Sequence, residues 1–485
     1  MKQSFIQSKV YFCILVFLVF GLVSFNIFFK LGDFPIYSWD EARHGINAYE
    51  MVKHNNLFIN TYRNQVDYWN LKPPLSFWAI IAGYKIAGFN PFGLRLLPAI
   101  FAFLTIIIVA AFAWATFGKR AGLISSIVLA TCSQWLLNHG ARTADADSLF
   151  VFLFTASILS LLLSIEQKKW LIVSAFSFSC AFLTKSWHAG SILLIILTFL
   201  FLTGHYKKIA PTEWFLSILT VVVPIVTWAL FRYQYDQLLF FKKMIAYDLL
   251  HRSSTPIEGH SENFFYYVTI LWKFSKLWIV LLLLFGFTMI HEFRGSLWKV
   301  ETKSATIGIY LWMVIPFLLY TFASTKVRWY IQPVYPAISL AIGSLASKAS
   351  HVKPVIIRYI LTFSIVFTAI VYEAQIFMYI RNPIPKLQLS LLKNLERNKD
   401  LKGYSLYGYH HGKRAVWQQN QVLAAELYGD LVIQDGGWRT FLQKDHALLL
   451  IKRGKKTQEF ILNHQLAVVY ANEWGFIVQK HKSQP

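Results

Sequence analysis

Cysteine is nearly absent from this chain. Three occur in 485 residues, Cys13, Cys132 and Cys180, each inside an apolar run. That leaves no disulfide framework and no cysteine-ligated metal site. Charge is scarce as well: Asp, Glu, Lys and Arg make up 15% of the residues, against about 25% in a typical soluble domain. Acid is the scarcer sign, with 24 Asp and Glu set against 47 Lys and Arg, a net charge of +23. Phosphate-binding Walker loops, dinucleotide glycine fingerprints and Ser nucleophile elbows are all missing, which removes three common enzyme classes. What the chain has in excess is apolar. Hydrophobic residues reach 56% and fall in long runs, which excludes a single water-soluble globule. The chain reads as a polytopic α-helical membrane protein. In that setting the positive balance reflects basic loops facing anionic lipid, and no nucleic-acid partner is expected.

Crossing a bilayer core as helix takes about 20 mostly apolar residues. The first such run, 10–29, follows Lys2 and Lys9 and is succeeded by Lys30-Leu31-Gly32-Asp33. No small-residue cleavage site follows, so the pattern predicts a retained helix entering from the cytoplasm. Further spans are predicted near 93–117, 121–138, 148–165, 170–186, 188–203, 212–232, 268–290, 306–323, 330–347 and 355–380. The apolar piece 74–89 is short and reads as interfacial or re-entrant. Basic residues sort the loops: Lys119-Arg120, Lys168-Lys169, Lys207-Lys208, Arg294/Lys299/Lys303 and Lys348/Lys353 all fall on the side of the amino terminus, as positive-inside orientation requires. The opposite side receives 31–73, 139–147, 233–267, 324–329 and everything after 381. Joining 170–203 into one helix would invert every later loop.

The tail changes character. Residues 386–398 are amphipathic, and 447–451, 466–470 and 474–479 are β-rich. The division predicted is a transmembrane domain over 1–380 and a small α/β domain over 381–485 on the outer face, large enough to fold by itself.

The informative charges gather on that outer side. Trp39-Asp40-Glu41-Ala42-Arg43 follows the first span. Adjacent carboxylates point apart, so one of Asp40 and Glu41 can face a substrate while the other pairs with Arg43 or supports a helix. Asp40 is also well placed as an N-cap for a helix over 42–53. Lys72-Pro73-Pro74 holds one cation on an extended backbone. Arg142, Asp145 and Asp147 sit at a helix connection, and Thr184-Lys185 interrupts an apolar stretch. Charges near spans are costly and mark function, or else snorkel and pair locally. The loop 233–267 adds Asp248, Arg252, His260 and Glu262, and 324–330 adds Lys326, Arg328 and Tyr330. Arg43, Lys72, Lys185, Arg252, Lys326 and Arg328 around one carboxylate suit an anionic leaving group and a base for an acceptor hydroxyl. The competing class is a transporter or channel for an anionic substrate. Against it stand the lack of paired interrupted helices in two halves and the gathering of polar residues at one face.

The order of these motifs resembles that of the lipid-dependent glycosyltransferases of the GT-C fold, in the branch of the protein O-mannosyltransferases and the lipid A aminoarabinose transferase. The resemblance rests on Asp40-Glu41-x-Arg43, Lys72-Pro73-Pro74, Asp147 opening a helix, Thr184-Lys185, Arg252 with His260, and Ser324-x-Lys326-x-x-x-Tyr330-x-x-Pro333-x-x-Pro336. It implies about 11 to 13 transmembrane helices and transfer at the outer face of a bacterial inner membrane. The donor it implies is a sugar on a polyprenyl phosphate; the acceptor is a lipid, glycan or protein. It makes Asp40 the general base with Glu41 beside it. Lys72, Lys185, Arg252, Lys326 and Arg328 would hold the donor phosphate, with Arg43 orienting Asp40 or reaching the phosphate. Asp145, Asp147, His260 and Tyr330 would support them. In the lipid A relative an acidic residue implicated in metal binding precedes the Lys-Pro; here Leu71 stands there, so no bound metal and no cofactor is expected.

Overall fold

The computed structural model describes residues 2–256, 259–292, 300–349, 355–409 and 416–481. It divides into two compact units: residues 1–29, 71–76 and 98–381, and residues 30–70, 77–97 and 382–485.

The first unit is helical. Seven described segments are long and apolar enough to cross a bilayer: Val10–Phe28, Pro91–Phe117, Trp170–Thr203, Pro211–Asp236, Tyr266–Phe287, Lys303–Phe322 and Val355–Arg381. The chain is a multi-pass membrane protein. Trp170–Thr203 contains two helices, Trp170–Lys185 and Gly190–Thr203, joined by a 3-10 turn at Ser186–Ala189. The break is made by Ser186, whose φ of 45° lies in the left-handed region that β-carbon sterics disfavour. Asp147–Leu163 and Leu75–Ala87 are apolar but shorter. At about 1.5 Å per residue, 13 residues reach about 20 Å, too short for an upright span.

Two expectations need correcting. The single helix foreseen over 121–138 is two, Lys119–Ala130 and Ser133–Leu137, separated at Thr131 and Cys132. The long loop 233–267 is largely helical, with Leu239–Lys243, a π-helical turn Met244–His251 and Arg252–Ser254. Arg294, Lys299 and Lys353, used to orient the loops, lie outside the described residues.

Close packing within this unit uses small residues, as helices in lipid require. Lys119–Ala130 lies against Val334–Ala349. A β-carbon at Gly343 would stand 2.7 Å from the Ala121 carbonyl oxygen and run into Ser125 Oγ, and Ser125 Oγ donates to the Ser339 carbonyl at 3.1 Å. Asp147–Leu163 packs on Trp170–Lys185, which packs on Pro211–Asp236.

The second unit is mixed. A two-residue hairpin pairs β1 (Thr61–Tyr62) with β2 (Gln65–Val66). Beyond residue 400 come β3 (Ser405–Tyr409), β4 (Val432–Ile433), β5 (Ala447–Lys452), β6 (Leu466–Ala471) and β7 (Gly475–Lys480), in the order β4-β3-β5-β7-β6. β3 is parallel to β4 and β5; β7 is antiparallel to β5 and β6. The alternation of β5 buries Leu449 and Ile451 with Phe441, Phe476 and Val478. The expected carboxyl-terminal sheet is therefore present, and the helix Gln419–Gly429 and strand β3 add to it. That helix packs on Asp40–Lys53, with Tyr49 Oη donating to Asp430 Oδ1 at 2.8 Å and Asn420 Nδ2 to the Ile36 carbonyl at 3.3 Å.

Candidate active site

In the second unit the Trp39-Asp40-Glu41-x-Arg43 motif starts a helix. Trp39 has φ 68° and ψ −124°, a left-handed backbone that turns the chain into Asp40–Lys53. Asp40 is the first helical residue. It is not the N-cap, and no side-chain capping bond is made. Its carbonyl lies 2.7 Å from His44 Nδ1, and its side chain is half-buried.

Glu41 points the other way and is committed to structure. It is 1% exposed. Arg95 Nε and Nη2 donate to its two oxygens at 2.6 and 2.9 Å, and the Tyr37 amide donates at 2.7 Å. Arg95, wholly buried, spends its remaining donors on the carbonyls of Leu31, Phe34 and Pro35. Such a bidentate pair tolerates burial because every donor is met. Glu41, expected beside Asp40 in the chemistry, thus has both carboxylate oxygens bonded to Arg95.

Arg43 is likewise engaged. Its Nε and Nη2 donate to Asp67 at 2.6 and 2.7 Å, and the guanidinium lies over Tyr62 and Trp69, 3.6 and 5.0 Å from the ring centroids. Asp67 also accepts from Asn47 Nδ2 and from the amides of Trp69 and Asn70. Burial alone would raise its pKa; the Arg43 bonds and charge overturn that and hold it below the usual carboxylate range. Arg43 thus fixes the first loop, which argues against its reaching for a phosphate.

In the first unit the cations converge. Lys185 ends one helix and Asp147 begins another, and Lys185 Nζ donates to Asp147 Oδ1 at 2.5 Å. Lys185 Nζ lies 5.6 Å from the Tyr330 ring centroid. Tyr330 Oη accepts from Arg252 Nη1 at 2.8 Å, and Arg252 Nε stands 3.4 Å from Asp248 Oδ1. His188 packs edge-on against Tyr330 at 4.8 Å. Lys72 precedes the helix Leu75–Ala87 on an irregular backbone, as its two prolines dictate.

The segment 324–326 is stitched to 252–260 by backbone bonds from Ser324 to Ser253, Thr325 to Arg252 and Lys326 to His260. His260 contributes its carbonyl there. Lys326 is 8% exposed. Arg328 is exposed and gives its carbonyl to Gln134 Nε2 at 3.3 Å. Arg142 donates three bonds to the carbonyls of Asn26, Ile27 and Phe29, closing the end of the first helix.

Asp145 lies 3.2 Å from His139 Nδ1, and His139 stacks on Trp329 at 3.7 Å with the rings 12° apart. This imidazole–carboxylate pair is where a cation could be held in the unit. Neither His139 nor Trp329 belongs to a motif of ligand-like spacing, so sequence reading passed over both. Arg95 and Asp67 were missed for the same reason: their partners lie 54 and 24 positions away.

Comparison with known proteins places this arrangement. Residues 71–231 match the family described as dolichyl-phosphate-mannose-protein mannosyltransferase. An uncharacterized protein of Aquifex aeolicus is 24% identical over 372 residues, covering 75% of this chain and 70% of that one. An undecaprenyl phosphate-alpha-4-amino-4-deoxy-L-arabinose arabinosyl transferase of Pseudomonas fluorescens is 21% identical over 338 residues, 67% of this chain and 58% of the relative's length. The crystal structure of ArnT from Cupriavidus metallidurans bound to undecaprenyl phosphate superimposes with a TM-score of 0.72 at 14% identity, covering 96% of this chain and 97% of that one. The chain is a multi-pass membrane protein with the GT-C fold of that ArnT structure, and residues 71–231 carry its likeness to the mannosyltransferase family.

Proposed function

We propose that this enzyme moves a sugar from a polyprenyl-phosphate donor to an acceptor hydroxyl on the outer face of a bacterial inner membrane. The observation that carries the reading is the meeting of Lys185 and Arg252 at Tyr330 within the helical unit. A cluster of cations with its own hydroxyl and carboxylate supports suits a phosphate that must gain charge as it leaves. A polyprenyl phosphate leaving group bears one phosphate, which a few Lys and Arg side chains can balance without a nucleotide's machinery.

In the transfer, the anomeric C–O bond to the phosphate breaks and its electron pair stays with the departing polyprenyl phosphate. The acceptor oxygen forms the new bond to the anomeric carbon and gives up its proton. Asp40 is assigned as the base that takes that proton. Lys72, Lys185 and Arg252 hold the phosphate, with Lys326 beside them on the same stitched segment. Asp147 and Tyr330 fix Lys185 and Arg252, and Asp145 is held by His139. Glu41, Arg43 and Arg328 take no part in the chemistry.

Two experiments bear on the reading. The purified enzyme, offered the same sugar on a polyprenyl phosphate and on a nucleotide, is expected to consume only the first; turnover of the nucleotide sugar contradicts the assignment. In a chain stripped of Cys13, Cys132 and Cys180, single cysteines at Ser254 and Ser405 are expected to react with an impermeant thiol reagent in intact cells. Labelling only after lysis contradicts the outer-face placement.

A further inference from the structure

The mixed unit contains a cavity of about 420 Å³ that the transfer chemistry leaves unused, within the size range of small-molecule sites. Four pieces of chain meet there. Tyr49, Val52 and Lys53 come from the last turns of Asp40–Lys53, and Glu426, Tyr428 and Asp430 from the end of Gln419–Gly429. Phe89 enters from the turn after Leu75–Ala87, and Glu396, Lys399 and Lys402 from the 3-10 stretch ahead of β3.

The wall is held by its own side chains. Asp430 caps the helix Gln419–Gly429 from a left-handed backbone, φ 48°. Its Oδ1 accepts from Tyr49 Oη at 2.8 Å and from Lys53 Nζ at 2.7 Å, while its side chain stays 41% exposed. Burial would raise its pKa; the bonds from Lys53 and Tyr49 outweigh that and keep it ionised. Phe89 meets Tyr49 edge-on at 5.6 Å and Tyr84 at 5.1 Å, yet 39% of it is exposed. A ring already fixed by two others gives up little freedom when a ligand covers it.

Three features of the cavity suit one class of ligand. Phe89 presents an apolar surface, the Asp430 carboxylate accepts hydrogen bonds, and the lysines donate them. Lys53 and Asp430 stand 2.7 Å apart, so a donor and an acceptor lie side by side. A pyranose answers all three. It has a C–H face to lie on a ring, and along its edge neighbouring hydroxyls that each donate and accept.

We propose that this cavity binds a saccharide, its ring against Phe89 and adjacent hydroxyls on Asp430 and Lys53. Asp40 opens the same helix 13 positions before Lys53, about 20 Å away, so this sugar is not the one whose hydroxyl reacts. The site is a separate anchor for a glycan and uses no residue assigned to transfer. Its failure would leave the proposed transfer as it stands.

The test applies the full-length enzyme, in a detergent without a sugar headgroup, to a panel of oligosaccharides of glucose, galactose, mannose and N-acetylglucosamine. The member held most firmly is then titrated by calorimetry, with inorganic phosphate and spermidine as ionic controls. Wild type is expected to hold at least one oligosaccharide and neither control. Phe89→Ala should weaken that binding about tenfold, and Phe89→Tyr, which keeps the ring, should preserve it. Asp430→Asn keeps the shape and suits the left-handed cap, so it should fold normally and weaken binding roughly tenfold or more. No oligosaccharide held by wild type, a control held as firmly, or full affinity in both Phe89→Ala and Asp430→Asn would each overturn the proposal.

Discussion

Lys185 and Asp147 close a buried ion pair between the last residue of one helix and the first residue of the helix before it, Nζ to Oδ1 at 2.5 Å. Each side chain is 6% exposed. The pair settles an ambiguity that spacing alone leaves open, since Lys185 does not snorkel toward water but is held inside, beneath Tyr330. A cation positioned so firmly can meet a phosphate without first being ordered.

Replacing Lys185 by Ala is expected to weaken donor binding by roughly 10–150-fold, the worth of one charge-assisted hydrogen bond of about 1.5–3 kcal/mol. Asp147→Asn keeps the shape and loosens the lysine, so a smaller loss in the same parameter is expected. Equilibrium binding of a polyprenyl-phosphate sugar to the purified variants measures both. Unchanged affinity in a folded Lys185→Ala protein would reduce the pair to packing.

Glu41 and Asp40 are neighbours in sequence with opposite expected behaviour. Glu41→Gln breaks the buried pair with Arg95, and one-sided removal of such a pair typically costs about 3–5 kcal/mol. The melting temperature should fall clearly, while the rate per folded molecule stays near wild type. A lost rate at an unchanged melting temperature would return Glu41 to the chemistry.

Acid and base should act through Glu426. Burial first, and then the neighbouring Glu50 carboxylate, push its carboxyl well above the usual range of about 4.5. A raised folded pKa means that its stabilisation is complete below pH 4.5 and declines as pH rises toward the folded value, by up to about 1.4 kcal/mol per unit. Glu426→Gln, an isostere of the protonated form, should match wild type at pH 4 and melt higher at pH 7 to 8. Thermal melts across that range decide it; a variant less stable than wild type at neutral pH contradicts the sign.

Transfer is expected to need no divalent ion, because Lys72, Lys185 and Arg252 supply the positive charge. Exhaustive chelation of the purified enzyme should leave the rate within experimental error. Loss of activity restored by one of zinc, magnesium or manganese would overturn this, and His139 with Asp145 would then be the first ligands to replace.

Much of the scaffold was written in hydropathy. Long apolar runs located most of the long helices, and the β-rich runs 447–451, 466–470 and 474–479 located three strands, because these signals are local. The break at Lys185–Ser186 was legible for the same reason: a lysine rarely continues an apolar helix. The helical content of 239–254 was not, since its π-turn at Met244–His251 departs from the usual helical period. Partnerships were the least legible. Nothing near Glu41 announces Arg95, and nothing near Tyr49 announces Asp430, because long-range pairing is decided by packing. The spacing of the first-loop motif likewise gives no sign that Glu41 pairs with Arg95 and Arg43 with Asp67.

The most direct test of the account is single-turnover transfer by the purified, reconstituted enzyme from a labelled polyprenyl-phosphate sugar, comparing wild type with Asp40→Asn while donor binding is measured in parallel. Wild type should release one polyprenyl phosphate per sugar transferred. Asp40→Asn should bind donor with wild-type affinity and transfer about 10²–10⁴-fold more slowly, the usual contribution of a general base. An Asp40→Asn enzyme that keeps more than about a tenth of the wild-type rate would contradict the assignment.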